Sequence, residues 1–198
     1  GQIGEDIRQG DLVRAIGSTL RPQDLGVFSS IGCGTVRVIR QPCIRIVITG
    51  NELLPAGTLP VGYQIADANS PMLHALIQRD GGVPMTSDIV RDDPDAITAT
   101  LHSDADVILV SGGSSVGQED FVPKLLAERG ELAIHGVAMR PSSPAGMGRL
   151  GHRFVFLLPG NPVSCLCAYD FFAGRAIRAL GGRSKDWPYV RRTVPLTR

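Results

Sequence analysis

The sequence predicts an α/β fold in which helices cover both faces of a mainly parallel, mixed sheet. From Cys43 onwards, short apolar segments alternate with longer segments of helical periodicity, which is the pattern of a three-layer α/β/α arrangement. The turns after the strands are rich in glycine and proline, and the chain of 198 residues holds 24 glycines and 14 prolines. Because such sheets bind ligands beyond the carboxyl ends of their strands, we expect a ligand site at that edge.

The beginning of the chain forms a block of different character. Residues 11–20 are typical of a strand and turn, and residues 35–40 alternate in the manner of a half-buried strand. Between them, Pro22 and Gly32 are start and stop signals for a helix. Residues 1–41 are therefore predicted to be a small β-rich segment of a preceding domain.

The α/β domain is predicted over residues 42–184. Its strands are expected at residues 43–49, 83–90, 106–110, 132–139 and 153–159. Its helices are expected at residues 68–81, 92–103, 118–130 and 161–182. Asn69 or Ser70 is the expected N-cap of the first helix, and a glycine-rich turn is expected before the last strand. Residues 185–198 are predicted to begin a further β domain.

The composition argues against several classes of protein. The formal net charge is +1, and the lysines and arginines are scattered without interleaved aromatic residues, which disfavours nucleic acid binding. No apolar run reaches the roughly 18 residues of a membrane-spanning helix. The four cysteines form no C-x-x-C pair and are expected to be free, buried thiols in a reducing cytoplasm.

A loop rich in glycine and serine, at residues 111–117, follows the most apolar strand and leads into a helix. Glycines let the backbone approach a ligand closely, and free N–H groups at a helix N-terminus attract phosphate. The loop is therefore a candidate anion site, with a tight strand-to-helix connection as the alternative. Asp120 follows within one turn. Its carboxylate would repel a phosphate unless a divalent cation lay between them, although it would equally complement the helix dipole.

Further acids fall at the same predicted edge. Glu52 follows the first strand, and together with the acid just described it would suit a Mg²⁺ ion that bridges phosphates. A solvated loop acid is the alternative. Asp92 and Asp93 begin a helix, where capping accounts for one of them and leaves the other spare. Residues 158–164 begin another helix, with Asn161 as the expected N-cap and a second terminus for an anion.

Six motifs occur in this order along the chain: TGNEL, IADANSPML, RDDP, SGGSSVGQEDF, VAMRPSSPAGMG and LPGNPVS. In order and spacing they resemble the molybdopterin molybdenumtransferase family, whose relatives include the gephyrin E domain. The resemblance is strongest from about Cys43 to Gly182. The segment GEDIRQGDLVRAIGSTLRPQDLGVFSSIG is also similar to the one that precedes the catalytic domain in that family.

The resemblance implies a molybdopterin-binding-type fold, shared with molybdopterin adenylyltransferases. It implies a transferase of molybdenum cofactor biosynthesis that inserts molybdate into adenylated molybdopterin and releases AMP with the help of Mg²⁺. It also implies a homodimer, further domains, and a molybdopterin adenylyltransferase as a partner.

The family's functional residues map onto matching positions of this chain. The implied catalytic acids are Glu52, Asp92 and Asp120, and the first and last of them are the implied ligands of Mg²⁺. The implied substrate-binding residues are Gly112, Gly113, Ser114, Ser115, Gly117, Arg140, Pro159, Gly160, Asn161, Pro162 and Ser164.

The chain departs from the family pattern at a few positions. Asn51 stands where the family usually has aspartate, and Gly136, Arg140 and Ser143 stand where it has lysines. Arg140 is then the remaining candidate anion ligand, with a surface arginine as the alternative. The retained acids favour an active molybdenumtransferase. The weakened basic loop favours a non-inserting paralogue that binds molybdopterin or a nucleotide as a carrier or sensor, and another phosphate-ester chemistry is a third possibility.

Overall fold

The structure, a computed structural model, describes residues 1–112 and 121–195. The chain divides into two compact units, Gly1–Arg40 and Gln41–Arg198. Within the described ranges, none of the helices is long and apolar enough to span a membrane.

The first unit, all of whose residues are described, contains one helix and no strand. The helix, α1 (Pro22–Ser30), has Pro22 in its first turn, and Gly32 follows its end with a φ of 78°, so both predicted signals are confirmed. The two strands predicted here are wrong, because residues 11–20 and 35–40 are irregular and largely exposed. A strand pattern needs a neighbouring strand to satisfy its backbone groups, and this fully described unit offers none.

The second unit is built on a six-stranded mixed sheet. The parallel strands are β1 (Cys43–Thr49), β4 (Val83–Val90), β5 (Val107–Ser111) and β8 (Arg153–Leu158). The antiparallel strands β6 (Glu131–His135) and β7 (Gly146–Leu150) complete it, in the order β4-β1-β5-β8-β7-β6. Two short strands, β2 (Leu53–Leu54) and β3 (Ile65–Ala66), pair separately in the long loop after β1.

Helices cover both faces of this sheet. They are α2 (Asn69–Arg79), α3 (Pro94–Leu101), α4 (Phe121–Arg129), α5 (Pro162–Ala168) and α6 (Gly174–Leu180), with a π-helical turn at Tyr169–Ala173 between the last two. Successive residues of β1 alternate between two cores: Ile46 packs with residues of α2, α5 and α6, whereas Val47 packs with residues of α3 and α4. Every residue of β5 is buried. The predicted three-layer α/β/α architecture is confirmed.

The glycine-rich stretch that was predicted to be a turn is instead strand β7. A Cβ atom at Gly148 would lie 2.0 Å from the carbonyl oxygen of Glu131. Glycine here allows two strands to lie close together, so the residue that suggested a turn serves pairing. The neighbouring strand is shorter than predicted, because β6 ends at His135 and Gly136 turns the chain with a φ of 84°.

Candidate functional site

A cavity of about 620 Å³ lies at the carboxyl edge of the sheet, where the parallel strands β1 and β5 end side by side. Its wall is formed by these strand ends, the loop that contains β2 and β3, the start of α2 and the loop that leads into α5. The predicted residues that line it are Glu52, Asp92, Gly112, Pro159, Gly160, Asn161, Pro162 and Ser164. The position of the cavity agrees with the edge at which parallel sheets bind ligands.

Asn69, the first residue of α2, joins three parts of the cavity wall. Its Nδ2 donates hydrogen bonds to Ser111 Oγ at 2.9 Å and to the Gly160 carbonyl oxygen at 2.8 Å. Ser111 ends β5, and its hydroxyl lies 3.3 Å from the Pro159 carbonyl oxygen. One side-chain amide therefore fixes the start of α2, the end of β5 and the loop after β8 relative to one another.

The start of α2 is stabilised by a residue that the sequence pattern did not single out. The prediction of Asn69 or Ser70 as N-cap is wrong, since both residues lie inside the helix and the N-cap is Ala68. Asp67 Oδ1 accepts hydrogen bonds from the backbone N–H groups of Asn69 at 2.9 Å and Ser70 at 3.0 Å. A carboxylate satisfies these first-turn donors better than either neutral side chain, because it also complements the helix dipole. The Asn69 side chain is thereby released to serve the cavity wall.

Glu52 and Asp92 reach the cavity from different loops, one after β1 and the other between β4 and α3. The two loops are linked, because the Asp92 N–H donates to Asn51 Oδ1 at 3.4 Å. Asp93 caps α3 by accepting a hydrogen bond from the Ala96 N–H at 2.8 Å. Of the two adjacent acids, one is therefore used by the helix and the other, Asp92, lines the cavity.

Gly112 follows β5 in the cavity wall and requires a residue without a Cβ atom. Its φ is 99°, and a Cβ atom would lie 2.2 Å from the Thr49 carbonyl oxygen. The backbone at Gly112 therefore approaches the end of β1 more closely than a residue with a side chain would permit. The other predicted residues of this loop, Gly113, Ser114, Ser115, Gly117 and Asp120, lie outside the described residues.

The loop into α5 lines the cavity, but the donors of its helix terminus are already occupied. Asn161 is the N-cap, as predicted, and its Oδ1 accepts from the N–H groups of Val163 at 3.1 Å and Ser164 at 3.2 Å. The Cys165 N–H donates to the Asn161 carbonyl oxygen at 2.8 Å, and Pro162 has no N–H. In this fully described segment, the first turn of α5 therefore leaves no spare backbone N–H group for the anion that the sequence suggested there.

Arg140 lies apart from these groups, since its side chain is exposed and it is not among the described residues that line the cavity. The same loop does reach the site through Pro144, which lines the cavity. Ser142, which is only 3% exposed, donates its hydroxyl hydrogen bond to the Ser164 carbonyl oxygen at 2.6 Å. Its φ of 97° is rare outside glycine, so tertiary contacts hold this loop against α5.

The described part of the cavity wall is acidic. Glu52, Asp67 and Asp92 contribute carboxylates, and none of the described lining residues is a lysine or arginine. Across residues 1–112 and 121–195, no group of three or more His, Cys, Asp or Glu side chains is arranged to hold a metal ion. An anionic ligand therefore needs positive charge that enters with it or comes from groups beyond this part of the wall.

Cys165 lies behind the cavity wall, with its Sγ 3.6 Å from Ser111 Oγ. The side chain is completely buried, and burial raises the pKa of its thiol to about 11. The thiol is therefore neutral near pH 7 and does not suit the role of nucleophile or metal ligand. All four cysteines are free, as expected, although Cys33, Cys43 and Cys167 are only half-buried.

Four polar residues of the wall, Thr49, Asp67, Asn69 and Ser111, were not named individually as ligand residues, although Ser111 begins the loop of residues 111–117 that was predicted as an anion site. Thr49 and Ser111 end strands of the sheet, and the other two precede or begin a helix. The rule that ligands bind beyond the carboxyl ends of parallel strands could have identified the two strand-end residues. Asp67 and Asn69 precede or begin a helix, where the sequence pattern is explained by capping alone and so does not indicate a role in the cavity wall.

Comparison with known proteins agrees with the fold of the second unit. A family profile described as "Probable molybdopterin binding domain" matches residues 45–179. The molybdopterin molybdenumtransferase of Staphylococcus aureus (strain COL) is 29% identical over 194 residues, which covers 94% of this chain and 46% of the relative. The chain thus spans about half the length of the curated relatives it matches.

Solved structures place the same architecture in related proteins. A molybdopterin biosynthesis MoeA protein from Pyrococcus horikoshii is 31% identical with a TM-score of 0.78, and the match covers 90% of this chain and 45% of that chain. The molybdopterin biosynthesis Mog protein from Mycobacterium ulcerans is 21% identical with a TM-score of 0.54, over 70% of this chain and 97% of that one. At this lower identity, the second likeness shows a shared fold alone.

Proposed function

This chain belongs to the family described as a probable molybdopterin binding domain, and we propose that its cavity binds adenylated molybdopterin during molybdenum cofactor biosynthesis. The observation that carries the proposal is the convergence of Glu52 and Asp92, from two separate loops, on one cavity of about 620 Å³. The cavity has the size of a site for a small organic ligand. The edge of the sheet on which it lies is where folds of this kind bind nucleotide-like ligands.

The proposed reaction is insertion of molybdate into adenylated molybdopterin with release of AMP. Release of AMP requires water to attack the pyrophosphate that joins the pterin and the adenylyl group, so that one P–O bond forms and another breaks. A carboxylate in the wall can accept the proton of that water, and the developing charge falls on the departing phosphate. Glu52 and Asp92 are the proposed acids, and Asp120 is proposed to join them.

The residues present fit Mg²⁺ only in part. Two carboxylates, those of Glu52 and Asp92, line the same cavity, but the described residues contain no complete cluster of metal ligands. Mg²⁺ is commonly held by one or two carboxylates together with the phosphates of the substrate. We therefore propose that Glu52, together with Asp120 and the pyrophosphate of the substrate, would hold Mg²⁺, and that the ion would supply the positive charge that the described wall lacks.

A second candidate function is a carrier or sensor that binds molybdopterin or a nucleotide without inserting molybdate. The acidic wall favours it, because molybdate is an oxyanion and none of the described lining residues is basic. Arg140, the remaining candidate for an anion ligand, is exposed outside that wall. A homodimer, which we also propose, would answer this objection if the second copy contributed cations. We further propose that the protein is cytoplasmic and that a molybdopterin adenylyltransferase supplies its substrate.

The test is release of AMP from adenylated molybdopterin by the full-length protein with Mg²⁺, measured with and without molybdate. We expect release that depends on molybdate, and we expect Glu52→Gln to slow it about 100-fold, because a neutral amide does not accept the proton and lacks the negative charge that would attract a cation. Asp95→Asn is the matched control, since Asp95 is an exposed acid of α3 outside the cavity wall.

Each result distinguishes the candidates. An unchanged rate in Glu52→Gln would remove Glu52 from the reaction. Tight binding of the ligand without release of AMP, in the presence of molybdate, would favour the carrier or sensor. Release that ignores molybdate would indicate a different phosphate-ester chemistry.

A further inference from the structure

Two residues that line the cavity each carry a buried oxygen atom that has no hydrogen-bond partner among the described residues. The atoms are Thr49 Oγ1 and Asn69 Oδ1, whose residues are 4% and 5% exposed. Both residues line the cavity, Thr49 as the last residue of β1 and Asn69 as the first of α2. Leaving a buried polar atom unsatisfied costs about 1–3 kcal/mol, so two such atoms in one wall call for an explanation.

The orientation of the Asn69 amide is fixed by its neighbours. Its Nδ2 donates to Ser111 Oγ and to the Gly160 carbonyl oxygen, so the amide oxygen faces away from both. The flipped amide would set two acceptors, Asn69 Oδ1 and the Gly160 oxygen, against each other. Asn69 therefore presents an acceptor, and a ligand that satisfies it must bring a donor.

Thr49 is fixed through its backbone. Its position in β1 is set by register with Val90 of β4, and Gly112 packs directly against its carbonyl group. The hydroxyl can donate one hydrogen bond and can also accept, and it does neither with any described residue. It is thus the second unused polar group in the wall.

We propose that Thr49 and Asn69 recognise a neutral, N–H-bearing edge of the ligand's heterocycle and thereby orient the ligand in the cavity. A phosphate cannot be the partner of Asn69, because its oxygens are acceptors and the Asp67 carboxylate in the same wall would repel it. A heterocyclic amine or lactam supplies the donor that Asn69 Oδ1 requires and a polar neighbour for Thr49.

This inference rests on the proposed function, and the proposed ligand carries such an edge at both ends. The pterin ring has an amino group and a ring N–H beside a carbonyl, and adenine has an exocyclic amino group. The pterin edge and the adenine edge offer the same N–H donors to Thr49 and Asn69. Separate probes are needed to tell which ring occupies the site.

The test is the binding of three probes to the full chain and to Thr49→Val and Thr49→Ser variants. The probes are adenylated molybdopterin, 6-hydroxymethylpterin and AMP. Valine keeps the shape of threonine but removes the hydroxyl, so we expect Thr49→Val to bind adenylated molybdopterin about tenfold more weakly, while Thr49→Ser binds normally. A parallel loss for 6-hydroxymethylpterin places the pterin ring at the site, and a parallel loss for AMP places adenine there.

The melting temperature of the free protein distinguishes a ligand-binding role of the Thr49 hydroxyl from a purely structural one. If the hydroxyl stabilised the fold, Thr49→Val would lower the melting temperature. Because the hydroxyl is buried without a partner, Thr49→Val should leave the melting temperature unchanged or raise it. Weaker binding together with undiminished stability supports the inference. Equal binding of all probes by wild type and Thr49→Val overturns it while the proposed function stands, whereas a wild-type chain that binds none of them overturns both.

Discussion

The cavity wall at Gly112 can form because this residue has no Cβ atom. The residue combines a φ of 99° with a hypothetical Cβ position 2.2 Å from the Thr49 carbonyl oxygen. Either feature alone would disfavour a side chain, and together they require that the loop or the end of β1 move. The glycine therefore determines how closely two cavity-lining segments approach each other.

Gly112→Ala is expected to destabilise the second unit by about 3 kcal/mol, because the new methyl group strains the backbone and collides with Thr49. Gly160→Ala is the matched control. Among the described residues, its Cβ atom would meet nothing closer than the Gly112 Cα at 3.6 Å, which is ordinary contact. Urea unfolding of both variants measures the difference, and equal stabilities would show that the loop yields without cost.

Single residues also show where prediction from sequence reached its limit. The pair Asp92 and Asp93 was recognised as one cap and one spare acid, because a helix start needs only one such acceptor. For Asn69 the same local rule misled, since the Asp67 carboxylate caps α2 and frees the asparagine for contacts more than forty residues away in the chain. Local chemistry predicts that a polar residue will find a partner, but tertiary packing decides which one.

At the scale of elements, the long C-terminal helix is the most informative case. The apolar pattern predicted one helix over residues 161–182, whereas the structure has α5, a π-helical turn and α6 in succession. Gly174 begins α6 with a helical φ of −60°. A Cβ atom there would lie 2.7 Å from Asp80 Oδ2 and 2.9 Å from Tyr169 Cε1. This glycine, which weakens a helix by propensity, allows α6 and the end of α2 to pack closely.

Replacing Gly174 by alanine should therefore destabilise the protein by about 2 kcal/mol, although helix propensity alone predicts a gain of about 1 kcal/mol. The Asp80 side chain cannot move aside cheaply, because two arginines hold it. Gly26→Ala in α1 is the control, since that exposed helical position has nothing within 4 Å of the new atom. Hydrogen exchange should report a stabilised α1 in one variant and a loosened α6 in the other, and a stabilising Gly174→Ala would contradict the close packing.

Strands were predicted correctly where burial alone produces the sequence pattern. Prediction failed where a strand depends on the neighbouring strand with which it pairs. The strand from Cys43 to Thr49 was predicted in full, and the one from Val107 to Ser111 was predicted one residue early, because most of their residues are apolar and both faces are largely buried. Strand β7 was missed because its glycines serve close pairing with β6, which the sequence of β7 alone does not reveal. The strands expected at residues 11–20 and 35–40 fail for the converse reason, since no strand in their unit pairs with them.

At the scale of the whole second unit, the candidate site and a buried network of ion pairs lie at opposite ends of α2. The helix starts at Asn69 in the cavity wall and ends at Arg79, about 15 Å away at 1.5 Å per residue. Beyond its far end, the buried Asp80 accepts from Arg178 at 2.8 Å and Arg79 at 2.9 Å, and Arg79 also donates to Asp170 at 2.6 Å. These four charges balance, so removing one leaves a buried charge without compensation.

Asp80→Asn should lower the free energy of unfolding by about 3–5 kcal/mol, because Arg178 then remains buried without its carboxylate partner. Binding of the proposed ligand, adenylated molybdopterin, by the folded variant should be unchanged, since no residue of the network is among the described residues that line the cavity. Asp186→Asn, at an exposed position, is the control for charge. A loss of affinity in Asp80→Asn under conditions where it is fully folded would show that the two ends of α2 are coupled.

The position of Cys165 makes its modification rate a measure of how often the cavity wall opens. A thiol reagent attacks the thiolate, so a completely buried sulfur with a pKa near 11 reacts only during the brief intervals when the wall beside Ser111 opens. The half-buried Cys33, Cys43 and Cys167 would be labelled earlier and can be counted off first. The rate at which this last thiol is modified then measures how often the cavity wall opens. A molecule that fills the cavity would lower that rate in proportion to the fraction of the protein that it occupies.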